Sequence, residues 1–164
     1  MMGPILLTSC AGAARAEETR FRIDATVPVR DGIRVIALDA AAADVIHRLT
    51  LRHHSAIRLL SVPEFDRDVE EDLPLQAMDG TCSNLAAALA EADLVMVATT
   101  AVNPRTAETI ARACSSRGVM TVGVILQRGC PDGPALRALR PHAQVLIITN
   151  DHSDIAEVLS ALRA

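Results

Sequence analysis

The sequence contains no lysine, and all sixteen of its basic residues are arginine. A P-loop nucleotide site and a Schiff-base mechanism both need a lysine, so both kinds of chemistry are excluded. Tryptophan and tyrosine are also missing, and Phe21 and Phe65 are the only aromatic residues. The net charge is −4 without any basic cluster, which together with the scarcity of aromatic residues argues against nucleic-acid binding. The arginine-only, alanine-rich composition suggests a GC-rich bacterial genome.

Motifs for metal binding and membrane insertion are missing as well. No CxxC or other close pair occurs among Cys10, Cys82, Cys114 and Cys130, so the usual spacing of a cysteine metal site is excluded. Buried thiols in a reducing cytoplasm are the simpler interpretation, and we expect a cytoplasmic protein. No apolar run is long enough to span a membrane. The start, MMGPILLTSC, lacks the positive leader and full apolar core of a signal peptide, so export is not expected.

The 164 residues, half of them hydrophobic, are enough for one domain with a proper core. Because aromatic residues are so scarce, that core must consist of alanine, valine, isoleucine and leucine. Residues 1–31 are the least regular part, and we interpret them as an N-terminal extension that adds an edge strand or clasps a partner. Residues 32–164 are predicted to form the folded domain.

The stretch 92–126 predicts a strand, a loop, a helix and a second strand. Residues 94–98 form a short apolar run, typical of a strand buried on both faces, and residues 121–126 form the second strand. Between them, Asn103 is placed to cap a helix that starts with Pro104, and Gly118 is placed to end it. Two parallel strands joined by a helix form a βαβ unit, and ligands bind at the carboxyl ends of such strands.

The same alternation continues through the rest of the chain. The other predicted strands are 33–38, 57–62, 73–77 and 144–149, and the other predicted helices are one capped by Asp39, 83–91, 135–139, and a last helix capped by Asn150, Asp151 and Ser153. This order predicts an α/β fold, a three-layer α/β/α sandwich around a mostly parallel, Rossmann-like sheet.

Polar residues at the predicted carboxyl edge of the sheet are candidates for binding an anion. Thr99, Thr100 and Asn103 could donate hydrogen bonds to a phosphate at the N-terminus of the following helix, with Arg105 supplying positive charge. A capped, solvated loop is the simpler interpretation of the same residues. Asp39 is most simply a helix cap, with a ligand or metal role as the alternative. No set of nucleophile, base and orienting group can be assembled from the sequence, so an enzyme is not favoured.

Three stretches of the chain resemble the N-terminal nucleotide-binding domain of the FtsZ/tubulin GTPase family. Residues 33–49 read IRVIALDAAAADVIHRL, with the layout of the family's first strand, glycine-rich loop and helix. Residues 87–99 are similar to the helix and strand that lead into its signature loop. Residues 118–126 and 143–151 resemble its next two strands and the Asn-Asp pair that follows. Because these stretches follow one another in the family's order and spacing, the resemblance covers most of the chain after residue 32.

The resemblance implies the family's fold more than its activity. The first glycine-rich loop would fall on residues 39–43, where Asp39 adds a negative charge and Ala40 adds a methyl group in place of glycine. The signature loop would fall near residues 99–106, which read TTAVNPRT and contain no glycine. We also expect the chain to lack the family's second domain, which supplies the catalytic acidic loop. GTP hydrolysis is therefore not expected. The resemblance would place cofactor-binding residues at Asp39, Ala40, Thr99, Thr100, Asn103, Arg105, Asn150 and Asp151.

Three functions remain open at this point. The first is a non-catalytic FtsZ/tubulin-like domain without a cofactor, linked by the resemblance to cell division, which binds a protein partner or forms a homo-oligomer. The second is a domain that binds GTP, GDP or another anionic small molecule in a pocket formed by Asp39, residues 99–105 and Asn150. The third is a phosphosugar-binding (SIS-like) domain with its phosphate loop over residues 98–103, where Ala101 replaces the expected glycine. No nucleic acid and no membrane are expected as partners.

Overall fold

The structure is a computed structural model, and it describes residues 32–50, 57–63, 73–100, 103–127 and 133–163. The extension predicted for residues 1–31 lies outside the described residues, as do Cys10 and Cys130. The described parts form a seven-stranded sheet with helices on both faces.

Strands and helices alternate along the described part of the chain, as predicted for an α/β fold. The strands are β1 (Ile33–Ala37), β2 (Ile57–Ser61), β3 (Pro74–Ala77), β4 (Cys82–Asn84), β5 (Leu94–Thr99), β6 (Met120–Leu126) and β7 (Val145–Thr149). The helices are α1 (Ala40–Thr50), α2 (Leu85–Ala90), α3 (Pro104–Arg117), α4 (Pro134–Leu139) and α5 (His152–Arg163).

The strand order is β4-β3-β2-β1-β5-β6-β7. Strands β2, β1, β5, β6 and β7 are mutually parallel, with Ile33 of β1 aligned with both Ile57 and Leu94. β3 runs antiparallel to β2, and β4 antiparallel to β3. The predicted mostly parallel, Rossmann-like sheet is therefore confirmed. The chain leaves β1 on one side for β2 and later returns on the other side as β5, so a crevice is expected where these strands end.

Two hydrophobic clusters, one on each face of the sheet, make this a three-layer sandwich. In β1, Val35 belongs to the cluster with Ile46 of α1 and Ile155 of α5. The next residue, Ile36, belongs to the cluster with Ile110 of α3, which α2 and α4 also contact. Successive strand residues point to opposite faces, so one apolar strand contributes to both clusters.

The second helix is shorter than predicted, because its expected first residues are a strand. Residues Cys82–Asn84 form β4, paired with β3 across a turn in which Gly80 has a φ of 83°. The Asn84 side chain then accepts a hydrogen bond from the Ala87 backbone N–H at 2.8 Å, which caps α2. The prediction of a helix from residue 83 was therefore wrong. A three-residue strand has too little periodicity to be recognised without its partner.

The amino end of β1 lies tightly against the segment that leads into β5. The Gly32 carbonyl accepts a hydrogen bond from the Asp93 N–H at 2.9 Å. The buried Arg34 guanidinium donates to the Glu91 carbonyl at 3.3 Å, and lies 3.7 Å from its carboxylate. A Cβ atom at residue 32 would lie 2.7 Å from the Asp93 nitrogen and 2.8 Å from the Glu91 carbonyl oxygen. Only glycine therefore fits this contact without a backbone shift.

We expect Gly32→Ala to lower the free energy of unfolding by about 1–3 kcal/mol, the usual cost of overpacking. Gly123→Ala is the matched control, because its Cβ would lie 2.5 Å from Leu146 Cδ1 and 3.2 Å from Leu139 Cδ1, which are ends of flexible side chains and not backbone atoms. Urea unfolding of both variants checks this order. Equal losses for the two variants would contradict it.

Candidate functional site

Asp39 lies between β1 and α1, two residues after Ala37 and one before Ala40. One carboxylate oxygen, Oδ1, accepts a hydrogen bond from the Ala42 N–H at 2.9 Å. The Asp39 carbonyl also accepts the Ala43 N–H at 2.9 Å, the first turn of the helix. This is the geometry of an N-terminal cap, so the prediction that Asp39 caps this helix is confirmed. Ala40, the first residue of α1, is exposed.

The second oxygen of the same carboxylate reaches across to β5. Asp39 Oδ2 accepts hydrogen bonds from the Thr99 hydroxyl at 3.0 Å and from the Thr100 N–H at 2.8 Å. Thr99 is fully buried as the last residue of its strand. The carboxylate thus joins the end of β1, the start of α1 and the end of β5, at the point where the strand order reverses.

This carboxylate occupies the kind of place where parallel α/β folds bind phosphate. Such sites combine backbone N–H groups at a helix N-terminus with the crevice at the strand ends. Here a helix N–H, a strand-end N–H and a hydroxyl already donate to Asp39. A second anion would meet a negative charge and find these three donors engaged. At this place the donors are engaged by the protein's own carboxylate.

The start of α3 differs from the prediction. Asn103 lies in the left-handed region, with a φ of 64°, and its side chain makes no capping hydrogen bond. A capping residue is normally extended, so that its side chain points at the helical N–H groups, and the left-handed backbone prevents this. The prediction of an Asn103 side-chain cap was therefore wrong. Pro104 does stand at the start of the helix, and Gly118 ends it in the left-handed conformation, as predicted.

Asn150 and Asp151 lie at the end of β7, separated from β1 by β5 and β6. Neighbouring strands are about 4.8 Å apart, so this position is about 14 Å across the sheet from β1. Asp151 Oδ1 accepts hydrogen bonds from the Ser153 hydroxyl at 2.7 Å and its N–H at 2.9 Å, so Asp151 caps α5 as predicted. Both hydrogen bonds lower the pKa of Asp151, and the one from the Ser153 hydroxyl has the larger effect. Asn150 is exposed.

A second link between a strand end and a helix, missed by the sequence analysis, lies beside this cap. The hydroxyl of Thr149, the last residue of β7, donates to Asp154 Oδ2 at 2.5 Å. The same oxygen of Thr149 accepts the Asp151 N–H at 2.9 Å. The structure therefore contains two links between a threonine that ends a strand and an aspartate at the start of a helix: Thr99 with Asp39, and Thr149 with Asp154. For the second link the sequence signal is Thr-x-x-x-x-Asp, which is too common to identify such a link without the fold.

Among the described residues, the cysteines and the possible metal ligands give no sign of a second site. Cys114 is buried, and burial raises the pKa of its thiol to about 11, as the prediction of buried thiols requires. Cys82 is exposed, because it lies on the short edge strand β4, so for this residue the prediction was wrong. Within the described ranges, no group of three His, Cys, Asp or Glu residues could hold a metal ion. None of the described helices is long and apolar enough to cross a membrane.

Asp39→Ala should lower the free energy of unfolding by about 3 kcal/mol, because it removes a cap and leaves the Thr100 N–H and Thr99 hydroxyl without their charged acceptor. Asp151→Ala removes only an exposed cap and should cost much less. Asp39→Ser, which keeps a capping oxygen but cannot span to β5, should fall between them. Urea unfolding measures all three. Similar losses at both aspartates would contradict a special role for the link to β5.

The two described cysteines should differ sharply in reactivity. At pH 8, three units below a pKa of about 11, only about one Cys114 in a thousand is the reactive thiolate. We expect iodoacetamide to label Cys82 in the native protein, and Cys114 only after unfolding in urea. Peptide mass spectrometry separates these residues from Cys10 and Cys130. Fast labelling of native Cys114 would show that α3 opens readily.

No protein-family model matches the chain, and a search of characterised proteins found no significant match. The candidate site therefore has to be interpreted from its own geometry. That geometry brings Asp39, Thr99 and Thr100 together in one hydrogen-bonded cluster, and it places Asn150 and Asp151 elsewhere along the edge.

Proposed function

We propose that this chain is a non-catalytic FtsZ/tubulin-like domain that acts by binding a protein partner or by self-association. One observation carries the proposal: the Asp39 carboxylate accepts hydrogen bonds from the donor groups that a nucleotide phosphate would need at this place in the fold. A domain derived from a nucleotide-binding ancestor, with its phosphate site filled internally, keeps its surfaces but loses its substrate. The resemblance would link this role to cell division, and the absence of glycine from the two loops that resemble the family's phosphate loops implies that no cofactor is bound.

The electrostatic cost of phosphate binding supports this reading. Two unit charges 4 Å apart repel by about 4 kcal/mol at the effective dielectric of a protein surface. Every 1.4 kcal/mol is a factor of ten in affinity, so a single phosphate charge beside Asp39 would bind about a thousandfold more weakly. Moving the carboxylate aside would instead break its three hydrogen bonds. Either route disfavours tight GTP or GDP binding next to α1.

The strand order supports an origin in a nucleotide-binding fold. Without β4, the order β3-β2-β1-β5-β6-β7 is the usual order of doubly wound dinucleotide-binding sheets, although β3 runs antiparallel here. Many families share this order. The FtsZ/tubulin likeness therefore rests on the sequence resemblance, and the strand order is compatible with it.

A second candidate function is binding of GTP, GDP or another anionic molecule beside α3 instead of α1. This helix has no side-chain cap in the described structure, because Asn103 is left-handed. Arg105 is exposed in its first turn, and the helix dipole favours an anion at this end. A sugar phosphate in an SIS-like domain would use the same place.

A thermal-shift screen with GTP, GDP, ATP, sugar phosphates and inorganic phosphate tests both functions. A ligand at 100 times its dissociation constant adds about 2.7 kcal/mol to stability, which raises the melting temperature of a domain of this size by roughly 5–10 °C. We expect no shift for the natural protein. A shift with GTP or GDP would contradict the non-catalytic, ligand-free function, and a shift with sugar phosphates alone would favour the SIS-like alternative.

Asp39→Ser is the matched variant for this screen, because it removes the charge and keeps an oxygen that can cap α1. If the carboxylate blocks the site, phosphate should stabilise the variant and leave the natural protein unchanged. Stabilisation of both proteins to the same extent would place the anion away from Asp39, as expected for binding beside α3.

A further inference from the structure

The edge formed by β7 is apolar on both faces of the sheet. Within the described part of the chain, β7 pairs only with β6, and its sequence is VLIIT. Leu146 packs against the cluster beneath α3, and Ile147 packs against the cluster beneath α1 and α5. Alternation then places Val145 on the Ile147 face and Ile148 on the Leu146 face. Val145 is 37% exposed and Ile148 is 40% exposed, so each face presents one large apolar side chain at the edge.

The opposite edge of the sheet shows what a protected edge looks like. β4 has only three residues, CSN, and its two end residues are exposed while Ser83 is half-buried. Short strands and charged or polar edges are the usual means by which proteins prevent edge-to-edge pairing. β7 is longer, and it contains no charge, no proline and no glycine. The apolar edge of β7 is therefore open to pairing with another strand.

We propose that β7 of a second copy of this chain covers this edge, so that two sheets join into one across an antiparallel β7–β7 junction. This proposal rests on the proposed function, and it names the partner and the surface. The covering strand must be apolar on both faces, because β7 exposes one apolar side chain on each. A second β7 meets this requirement. Residues 21–29 of the N-terminal extension alternate apolar and polar residues, so a strand formed there would be apolar on one face only. The apolar residues 5–7 are too few to pair with all five residues of β7.

Symmetry and burial fix the register of the junction. A two-fold axis makes the pairing antiparallel, and residues opposite each other must lie on the same face of the sheet. With the axis at Ile147, all five residues of β7 find a partner and each stays in its own layer. The pairs across the junction are Leu146 with Ile148 of the partner subunit and Val145 with Thr149 of the partner subunit. Aliphatic side chains thus meet in the centre of the junction.

Light scattering after gel filtration at about 100 μM tests the junction. The natural protein should have twice the mass of one chain. Ile148→Lys should be monomeric, because it places a charge opposite Leu146 of the partner subunit, and a lysine on an exposed edge is compatible with folding. Val145→Lys is a second variant of the same kind. Met78→Lys is the matched control, because Met78 is 53% exposed in the β3–β4 turn and should leave the dimer intact. Circular dichroism melts confirm that each variant is folded.

A cysteine cross-link tests the register independently. In a chain carrying Cys10→Ser, Cys82→Ser and Cys130→Ser, Ile147→Cys should form a covalent dimer under mild oxidation, because residue 147 faces its own copy at the two-fold axis. Val145→Cys should not, because its own copy lies four residues along the partner strand, about 13 Å away, beyond the reach of a disulfide.

The outcomes separate this proposal from the function on which it rests. A monomeric natural protein, a dimer that survives Ile148→Lys and Val145→Lys, or equal cross-linking at residues 145 and 147 would each overturn the β7 junction. Those results leave the filled phosphate site and a different protein partner in place. Stabilisation by GTP or GDP would overturn the proposed function and leave a β7 dimer standing.

Discussion

The carboxylate of Asp39 connects the elements that have to meet at the centre of the sheet. It holds the first turn of α1 through Ala42 and the end of β5 through Thr99 and Thr100, while its own backbone continues β1. β1 is the innermost of the seven strands, and the chain departs from it in both directions. One half-buried side chain therefore joins the start of the first helix to the end of the neighbouring strand at the centre of the sheet.

The same interaction engages the kind of donors that bind anions in parallel α/β folds. Helix N-termini and strand-end N–H groups attract negative charge wherever they converge, and here the chain supplies that charge itself. A similar link joins Thr149 of β7 to Asp154 of α5, on the same face of the sheet. At both links the donors are engaged within the protein, whereas, among the described residues, the start of α3 has no side-chain cap.

The core is aliphatic, and the two edges of the sheet differ in the sequences of their own strands. With no tryptophan or tyrosine, the layers are filled by alanine and branched aliphatic residues. Glycine is needed where segments nearly touch, as at Gly32 against Asp93. One rim ends in the short, polar strand β4, and the other ends in the aliphatic strand β7. This asymmetry gives the molecule one side that resists strand pairing and one side that favours it.

The sequence by itself determined the interior of the fold and those details whose partners are close along the chain. Continuous apolar runs identified β1, β5 and β6, and the Asp39 cap followed because its acceptor and donor are three residues apart. Gly118 ended α3 for the same local reason. Only the tertiary structure decided that Asp39 also holds Thr99 and Thr100, which lie 60 and 61 residues away, and that Cys82–Asn84 is a strand. Local propensity extends over a few residues, whereas these contacts exist only because strand order brings distant segments to one edge.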